Sequence, residues 1–453
     1  MTEIFMKTLL ATGCACGLTV LNAIDVYPKI FPADTTAKIQ VEGLNPEWLN
    51  NSGLSIGYVR DDGTYLNGAQ AEWNGWDPVS TFEVEDQILT LTYPLNGEHE
   101  HTFRVTVKDA DGKESDPVFI SVYSLEEDLF QLRPYKGDFH MHSTASDGNL
   151  APERVVPRGR AKGLDFMALT DHHLYAPSLQ VIERFADVPM EMKLMPGEEV
   201  HPDKTPPHII NFGGSFSVND YMKNNVDDTL KRIHAKLEEL SEEKELDDTL
   251  RYQVASAETA FDLIREGGGI AMYCHPYWRP NRRNQTDYRV VDAIIDRAKF
   301  DVLEVIGGYD LNGLEENALA VAKYQECRAK GQVLPVAGVS DAHTYEPGTY
   351  FWWYYTIVFA KSAELEDLAE AFRANRSLAV EDVEQRFPRY YGDFRLIKFQ
   401  YFLNREFYPI HDALCAEQAV LLDRVLDGDD AALEELAKQQ TAVEDLFKKY
   451  YQQ

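Results

Sequence analysis

Hydrophobic and polar residues alternate in short runs between about residues 25 and 127. Leu54–Tyr58 alternates and leads into an Asp-Asp-Gly turn, and Phe103–Val107 precedes a second turn that contains Asp-Gly. Ile88–Tyr93 and Val118–Tyr123 complete the series. Because a period of two turns one face of each strand toward a core, this pattern predicts an N-terminal β-sandwich domain over residues 25–127.

From residue 135 to residue 385, apolar runs alternate with helical patterns. The helical patterns cover Ala257–Glu266, Val290–Lys299 and Leu314–Lys330. Such alternation is typical of a parallel α/β domain, and we expect it to close into a barrel over residues 135–385. The strongly charged segment 226–251 predicts a solvated helical insertion. The apolar runs are Phe166–Leu169, Leu194–Met195 leading to Val200, His208–Phe212, Ile270–Cys274, Val302–Ile306 and Leu334–Val339.

The two ends of the chain have patterns of their own. Residues 386–453 begin with an aromatic and basic segment and continue as a mainly helical C-terminal extension. Within the N-terminal segment 1–24, residues 6–23 loosely resemble a signal peptide, because one lysine precedes an apolar run. Thr12 and Gly13 interrupt that run, so a cytoplasmic protein is expected, with export as the alternative. No stretch reaches the roughly 18 uninterrupted apolar residues that a membrane span needs.

Composition narrows the range of partners. The 453 residues include 75 Asp and Glu against 44 Lys and Arg, which gives a net charge of −31. So acidic a chain has no general attraction for duplex nucleic acid or anionic lipid, both of which bind clustered positive charge. Five cysteines are too few, and odd in number, for a disulfide framework, which favours a reducing compartment. We therefore expect a small substrate, with assembly into a homo-oligomer left open.

Most of the twelve histidines lie at the ends of the apolar runs, close to carboxylates. A parallel barrel gathers the C-terminal ends of its strands at one mouth, so these side chains are expected to converge there. Imidazole and carboxylate together are the ligand set of Zn²⁺, Mn²⁺ or Fe²⁺. A lone buried histidine is usually a hydrogen-bonded core residue. Packing alone does not explain seven separate sequence elements of this kind, each at the end of an apolar run. The elements are Asp138–His142, Ser146–Gly148, Thr170–His173, Gly197–His201, His208–Ile210, Cys274–Pro276 and Ser340–His343.

The spacing within these elements suits metal ligation. In His140-x-His142 both rings project from one face of a strand, and Asp341-x-His343 repeats that geometry. A carboxylate such as Glu199 can bridge two ions with its two oxygens. The loop residues that could reach a second ion are Asp147 and His172. Together these elements offer nine plausible ligands, more than the four to six coordination positions of one ion. Two or three divalent ions are therefore expected: manganese, zinc or iron, with magnesium as a further option.

The order of these motifs resembles the polymerase-and-histidinol-phosphatase (PHP) family of metal-dependent phosphoesterases. Residues His140–Gly148 read His-x-His-Ser-x-x-Ser-Asp-Gly, the first motif of one branch of that family. The resemblance covers about residues 135–385. It implies a distorted seven-stranded (β/α)7 TIM-like barrel with a centre of two or three metal ions at its C-terminal mouth.

Carried over position by position, the resemblance also implies roles for single residues. It selects Glu199 over Glu198 and His172 over His173, and it makes Asp171 a partner that orients the His172 ring. His201 has no secure family counterpart and is either an additional acid or a surface loop residue. The implied metal ligands are His140, His142, Asp147, His172, Glu199, His208, His275, Asp341 and His343.

The predicted activity is hydrolysis of a phosphomonoester or phosphodiester, possible substrates being a nucleotide or a short oligonucleotide. A metal-bridging hydroxide is expected to attack phosphorus, while a histidine or a metal-bound water protonates the departing oxygen. Since the chain is so acidic, the substrate needs a positive clamp, and Arg279 or Arg282 is expected to supply it. The alternatives are amide or ester hydrolysis on the same barrel, or a non-catalytic binding protein stabilised by its metal.

Overall fold

The computed structural model describes residues 24–63, 75–202, 205–241, 243, 245–308, 313–383 and 387–452. These fall into two compact units, one formed by residues 24–125 with 449–452 and the other by residues 126–448. The signal-like segment 6–23 lies outside the described residues. None of the described helices is long and apolar enough to cross a bilayer.

In its described residues, the first unit has nine strands and one short helix, α1 (Pro46–Leu49). Its strands form two sheets with the orders β1-β3-β7-β6 and β2-β9-β8-β4-β5, and residues of both sheets share one hydrophobic core. Along β3 the buried residues alternate with exposed ones, as the period of two requires. The strands are β1 (Asp25–Tyr27), β2 (Ile30–Pro32), β3 (Thr35–Glu42), β4 (Leu54–Arg60), β5 (Asp77–Pro78), β6 (Phe82–Glu85), β7 (Ile88–Leu95), β8 (Glu100–Val107) and β9 (Val118–Leu125).

Residues from the far end of the sequence complete this unit. The Lys29 amide donates to the Tyr450 carbonyl at 2.8 Å, and Ile30 and Tyr451 form a parallel bridge. The Gln452 amide donates to the Ile30 carbonyl at 2.9 Å. Strand β2 therefore pairs with β9 on one side and with residues 450–452 on the other.

The second unit is a mixed α/β structure with two sheets of the orders β12-β11-β10-β18-β19-β20 and β13-β14-β15-β16-β17. Its strands are β10 (Arg133–Asp138), β11 (Phe166–Ala168), β12 (Lys193–Met195), β13 (Gly197–Val200), β14 (Ile209–Phe212), β15 (Ile270–Tyr273), β16 (Val302–Ile306), β17 (Val336–Gly338), β18 (Tyr354–Ala360), β19 (Ser377–Glu381) and β20 (Arg389–Tyr391).

Thirteen further helices accompany these strands in the described part of the chain. The charged insertion folds into α6 and the start of α7, so it is helical as the sequence predicts. The helices are α2 (Glu127–Phe130), α3 (Pro152–Ala161), α4 (Ala176–Arg184), α5 (Val218–Asn224), α6 (Val226–Glu239), α7 (Asp248–Glu266), α8 (Tyr288–Arg297), α9 (Leu314–Ala329), α10 (Leu365–Arg373), α11 (Phe394–Glu406), α12 (Tyr408–Leu426), α13 (Asp430–Lys438) and α14 (Ala442–Tyr450).

The sheets differ from the parallel arrangement that the sequence predicts. Strands β10, β11 and β12 run parallel, as do β15, β16 and β17, but β14 is antiparallel to both of its neighbours. Only eight residues, 201–208, separate β13 from β14, fewer than the dozen or so that a crossover needs, so the two strands can pair only in the antiparallel direction. This reversal places His208, which precedes β14, beside the residues that follow the parallel strands.

Candidate metal centre

Two isolated β-bridges bring the predicted motifs together beyond the ends of the regular strands. A bridge between Met141 and Ala342 joins the segment that holds the first histidine pair to the segment 341–343. A second bridge joins His172 directly to Glu199. Because a bridge fixes the separation of the residues on either side of it, the motifs meet beyond the ends of these strands.

Asp341 sits between the two histidines of the first motif. Its Oδ1 lies 3.1 Å from Nε2 of His140 and 2.9 Å from Nε2 of His142. Both rings are buried, whereas the Asp341 side chain keeps 19% of its surface exposed. Asp341 has a left-handed backbone with φ of +47°, a conformation that aspartate and asparagine adopt more readily than most residues.

Glu199 is fully buried, and each of its carboxylate oxygens faces three imidazoles. Around Oε2, the nitrogen distances are 2.7 Å to His172, 3.5 Å to His142 and 3.6 Å to His140. Around Oε1, they are 2.7 Å to His208, 3.3 Å to His275 and 3.5 Å to His201. A carboxylate in this position can contact two cations at once, one through each oxygen.

The most exposed carboxylate of the cluster is Asp147, at 54%. Its oxygens lie 3.3 Å from Nε2 of His343, 3.5 Å from Nε2 of His172 and 4.0 Å from Nδ1 of His142. The structure thus brings all nine predicted ligands into one connected cluster, with Asp147 at its solvent-facing edge.

Several buried nitrogen and oxygen atoms of the cluster lie near charged neighbours but form no hydrogen bond of normal geometry with the described residues. They include Nε2 of His140, Nδ1 of His142, Nδ1 of His208 and Oε2 of Glu199. Buried polar atoms normally have partners, and a cation held among these lone pairs would supply them. The donor set therefore fits divalent metal ions.

The electrostatics of the cluster also favour cations. Burial raises the pKa of Glu199, but the neighbouring imidazoles outweigh it and hold that pKa well below its ordinary value. The same balance, with His140 as the main partner, keeps the pKa of Asp341 well below its ordinary value. Both carboxylates therefore remain charged at neutral pH and can attract metal ions.

Glu304 is a member of the site that sequence reasoning missed. It lies in the middle of β16, is only 2% exposed, and its Oε2 is 3.1 Å from Nδ1 of His140. A carboxylate on one ring nitrogen fixes the tautomer and leaves Nε2 free to face the cluster. The available signal was the single acidic residue in the otherwise apolar run Val302–Ile306, because a buried carboxylate needs a partner.

Replacing Glu304 with glutamine should weaken manganese binding by about 10–100-fold, since the His140 ring loses its charged partner. Titration calorimetry of the purified variant measures this change. Glu258→Gln is the matched control, because Glu258 is also buried and pairs with Arg297 at 2.6 Å, away from the cluster. The control should lose stability and keep its manganese affinity; equal weakening in both variants would contradict the role of Glu304.

Asp171 does not contact the His172 ring as the resemblance implied. Its Oδ1 accepts hydrogen bonds from the Ser143 amide at 2.8 Å and from the Ser146 hydroxyl at 2.6 Å, and its Oδ2 accepts one from the Ser143 hydroxyl at 2.8 Å. Successive residues of an extended segment point to opposite sides, so Asp171 and His172 face different neighbours. Asp171 instead fixes the loop that carries Asp147.

His201 contacts members of the cluster and is not on a remote surface loop. Its Nε2 is 3.0 Å from Nδ1 of His172, its ring stacks on His208 with centroids 3.8 Å apart, and its side chain is 19% exposed. His173, the histidine that the motif did not select, stands next to it with ring centroids 4.1 Å apart.

The two predicted arginines lie on a loop next to the cluster but contact none of its residues in the described structure. Trp278 anchors this loop, with ring centroids 5.7 Å from His275 and 6.1 Å from His208. Arg279 pairs with Glu315 at 2.9 Å. Arg282 is exposed in the short 3₁₀ helix Pro280–Arg282 and has no ion pair among the described residues.

Comparisons with known proteins place these features in context. The DNA polymerase/3'-5' exonuclease PolX of Bacillus subtilis is 33% identical over 101 residues, which are 22% of this chain and 16% of that protein. A 5'-3' exoribonuclease of Haemophilus influenzae is 51% identical over 41 residues, or 9% of this chain and 15% of that one. A two-domain protein of Bacteroides vulgatus, named as containing a PHP-like metal-dependent phosphoesterase, superposes with a TM-score of 0.37 and 21% identity over 55% of this chain and 65% of its own.

The chain resembles the PHP family. This confirms the PHP-like character that the motifs predicted, although no family model matches the sequence. The matches to the two nucleases span only about a sixth of the length of each. The similarity to these two nucleases is therefore limited to one segment of each and does not extend over their full lengths.

Proposed function

We propose that the chain is a metal-dependent phosphoesterase that hydrolyses a phosphomonoester or a phosphodiester at this centre. The observation that carries the proposal is Glu199, whose two buried oxygens each face three imidazoles. Shared carboxylates and imidazoles of this kind are the ligands of centres with more than one metal ion. The proposed cofactors are two or three divalent ions of manganese, zinc or iron, or magnesium.

Three overlapping groups of side chains are the proposed ligands. When bound, the ions acidify a coordinated water and neutralise charge on the phosphoryl oxygens. The chain's own part is to hold these ligands in place through the two bridges, Glu304 and Asp171. The groups are His140, Glu199 and His275, with Cys274 beside them; His140, His142 and Asp341; and His142, Asp147, His172 and His343. His208 is the proposed additional ligand on Oε1 of Glu199.

We assign His201 to proton transfer, because it is not one of the nine predicted ligands, yet its Nε2 lies 3.0 Å from Nδ1 of His172 and 3.5 Å from Oε1 of Glu199. His201→Asn should lower kcat by about 100-fold, the usual contribution of a positioned general acid or base, while metal content stays the same. Metal analysis and steady-state kinetics on one preparation measure both quantities. His208→Asn is the comparison, and it should lower metal content. Loss of metal from the His201 variant would make His201 a ligand instead.

Arg282 is the proposed phosphate contact, since its guanidinium is exposed and not engaged by a carboxylate in the described structure. Arg282→Ala should lower kcat/KM by about 10–150-fold, which corresponds to about 1.5–3 kcal/mol for a charged hydrogen bond. Arg279→Ala serves as the control, because its guanidinium is held by Glu315. If neither variant changes the kinetics, the loop is a solvated surface and the phosphate is bound elsewhere.

The proposed substrate class is a nucleotide or a short single-stranded oligonucleotide. The two relatives given above are named as nucleases that act from a chain end, and such enzymes cleave phosphodiesters. The net charge of −31 opposes binding of a long duplex.

A substrate panel tests the proposal as a whole. Manganese-loaded protein is offered phosphomonoesters, phosphodiesters, carboxylic esters and amides, and turnover should be confined to the phosphorus esters. Turnover of esters or amides alone would favour the alternative hydrolase. No turnover of any kind, together with a melting temperature that rises when manganese is added, would favour a binding protein stabilised by its metal.

A further inference from the structure

A cavity of about 500 Å³ adjoins the metal centre on the side of the charged insertion. His173 and His201 line it, and His201 is also a member of the cluster. Helices α5 and α6 supply most of the remaining wall, and Tyr252 of α7 completes it. The sequence marked this segment only as a solvated insertion, so the cavity gives it a role that the charge pattern does not show.

The wall of the cavity is mixed: four aliphatic side chains and one tyrosine stand beside six polar or charged residues. Met222, Leu230, Ile233 and Val226 line it, and two of them are left open to solvent, at 53% for Val226 and 38% for Leu230. Large aliphatic side chains that remain uncovered beside a cavity gain stability when an apolar group covers them. The charged residues of the cavity on α5, Asp220 and Lys223, have opposite signs, so the cavity is suited to select by shape and apolar contact.

One polar atom in this wall has no partner. Thr229 is 5% exposed, and its hydroxyl has no hydrogen-bond partner among the described residues. A buried hydroxyl without a partner is unfavourable, so a ligand atom that bonds to it would be favoured. The cavity therefore combines four aliphatic side chains with polar ones, and among these the buried Thr229 hydroxyl has no partner among the described residues.

We propose that this cavity, the insertion cavity, binds the organic group of the phosphoester, and that this group is ring-bearing, mostly apolar and able to form one hydrogen bond at Thr229. The inference rests on the proposed phosphoesterase function. The volume of the insertion cavity lies within the roughly 300–1,000 Å³ of small-molecule sites, and a methyl group would leave most of the cavity empty. Because His201 lines the cavity and its Nε2 is also 3.5 Å from Oε1 of Glu199, a group seated in the cavity can place its ester oxygen at the edge of the metal centre.

Two phosphomonoesters with departing alcohols of similar acidity test the proposal: 2-naphthylmethyl phosphate and methyl phosphate. The manganese-loaded wild type should prefer the naphthylmethyl ester by at least about tenfold in kcat/KM. Leu230→Trp fills the cavity and should reduce this preference to about threefold or less. Val420→Trp adds the same bulk on α12, which contributes no residue to the cavity, and should retain the wild-type preference. An unchanged preference in Leu230→Trp would overturn the proposal.

Direct binding separates this inference from the catalytic one. The non-hydrolysable 2-naphthylmethyl phosphonate should bind the wild type at least about tenfold more tightly than Leu230→Trp in calorimetry, whether or not any ester is hydrolysed. Equal binding would overturn the insertion cavity while leaving the phosphoesterase proposal intact. Thr229→Val should weaken a quinolinylmethyl phosphonate more than its naphthyl counterpart; equal effects would remove Thr229 from the proposal.

Discussion

Glu199→Gln should reduce phosphoester hydrolysis by at least about a thousandfold, equivalent to about 4 kcal/mol of transition-state stabilisation. The substitution keeps the shape of the side chain but replaces one oxygen with an amide nitrogen that cannot ligate a cation. Since each oxygen faces three imidazoles, the change affects both halves of the centre. We expect metal content to fall to one ion per chain or fewer, measured by elemental analysis beside the kinetics.

The residue before it provides a matched control. Glu198 is equally buried, but its carboxylate accepts hydrogen bonds from Ser217 Oγ and Asn219 Nδ2, both at 2.8 Å, and so faces away from the cluster. Glu198→Gln should lower the melting temperature and keep the metal. The reverse pattern, with metal lost from the Glu198 variant alone, would show that the wrong carboxylate has been placed at the centre.

Asp341→Asn should leave a folded protein in which hydrolysis falls by several orders of magnitude, because the metal ions lose a charged ligand between His140 and His142. Asparagine tolerates the left-handed backbone at this position, so the loop itself should not be strained. The assay pairs thermal melting with hydrolysis of an aryl phosphate or a nucleotide bisphosphate in the presence of manganese.

The pairing distinguishes a catalytic metal from a structural one. If the ions served mainly to hold the fold, the Asp341 variant would show a large fall in melting temperature, since the binding energy of the metal would be folding energy. That fall, combined with wild-type hydrolysis no higher than background, would reject the phosphoesterase proposal.

The residues of the centre could be predicted from the sequence because each motif is formed by residues that are close together in the chain. In each i, i+2 pair the two side chains share one face, and the bridge between Met141 and Ala342 then brings the two pairs together. The nine predicted ligands form one cluster for this reason, although their roles as ligands stay predictions.

What the sequence did not show depends on contacts between distant segments. Glu304 acts on His140 from another strand, and nothing near either residue in sequence indicates that contact. The antiparallel direction of β14 was not predicted, because the sequence pattern of a buried apolar strand is the same whether the strand runs parallel or antiparallel to its neighbours. Strand β18 likewise pairs antiparallel with β10 from a position about 220 residues later, a partnership that local pattern cannot specify.

The pairing of β2 with residues 450–452 bears on how the chain is synthesised. A ribosome completes β1–β9 early, yet residues 450–452, which cover the outer side of β2, emerge only after the whole second unit has been synthesised. Until then β2 is an open sheet edge, and such edges recruit other strands and promote aggregation. A premature stop or a proteolytic cut before residue 449 would spare every residue of the metal centre. Any loss of soluble protein from such a truncation would then report on folding during translation and not on catalysis.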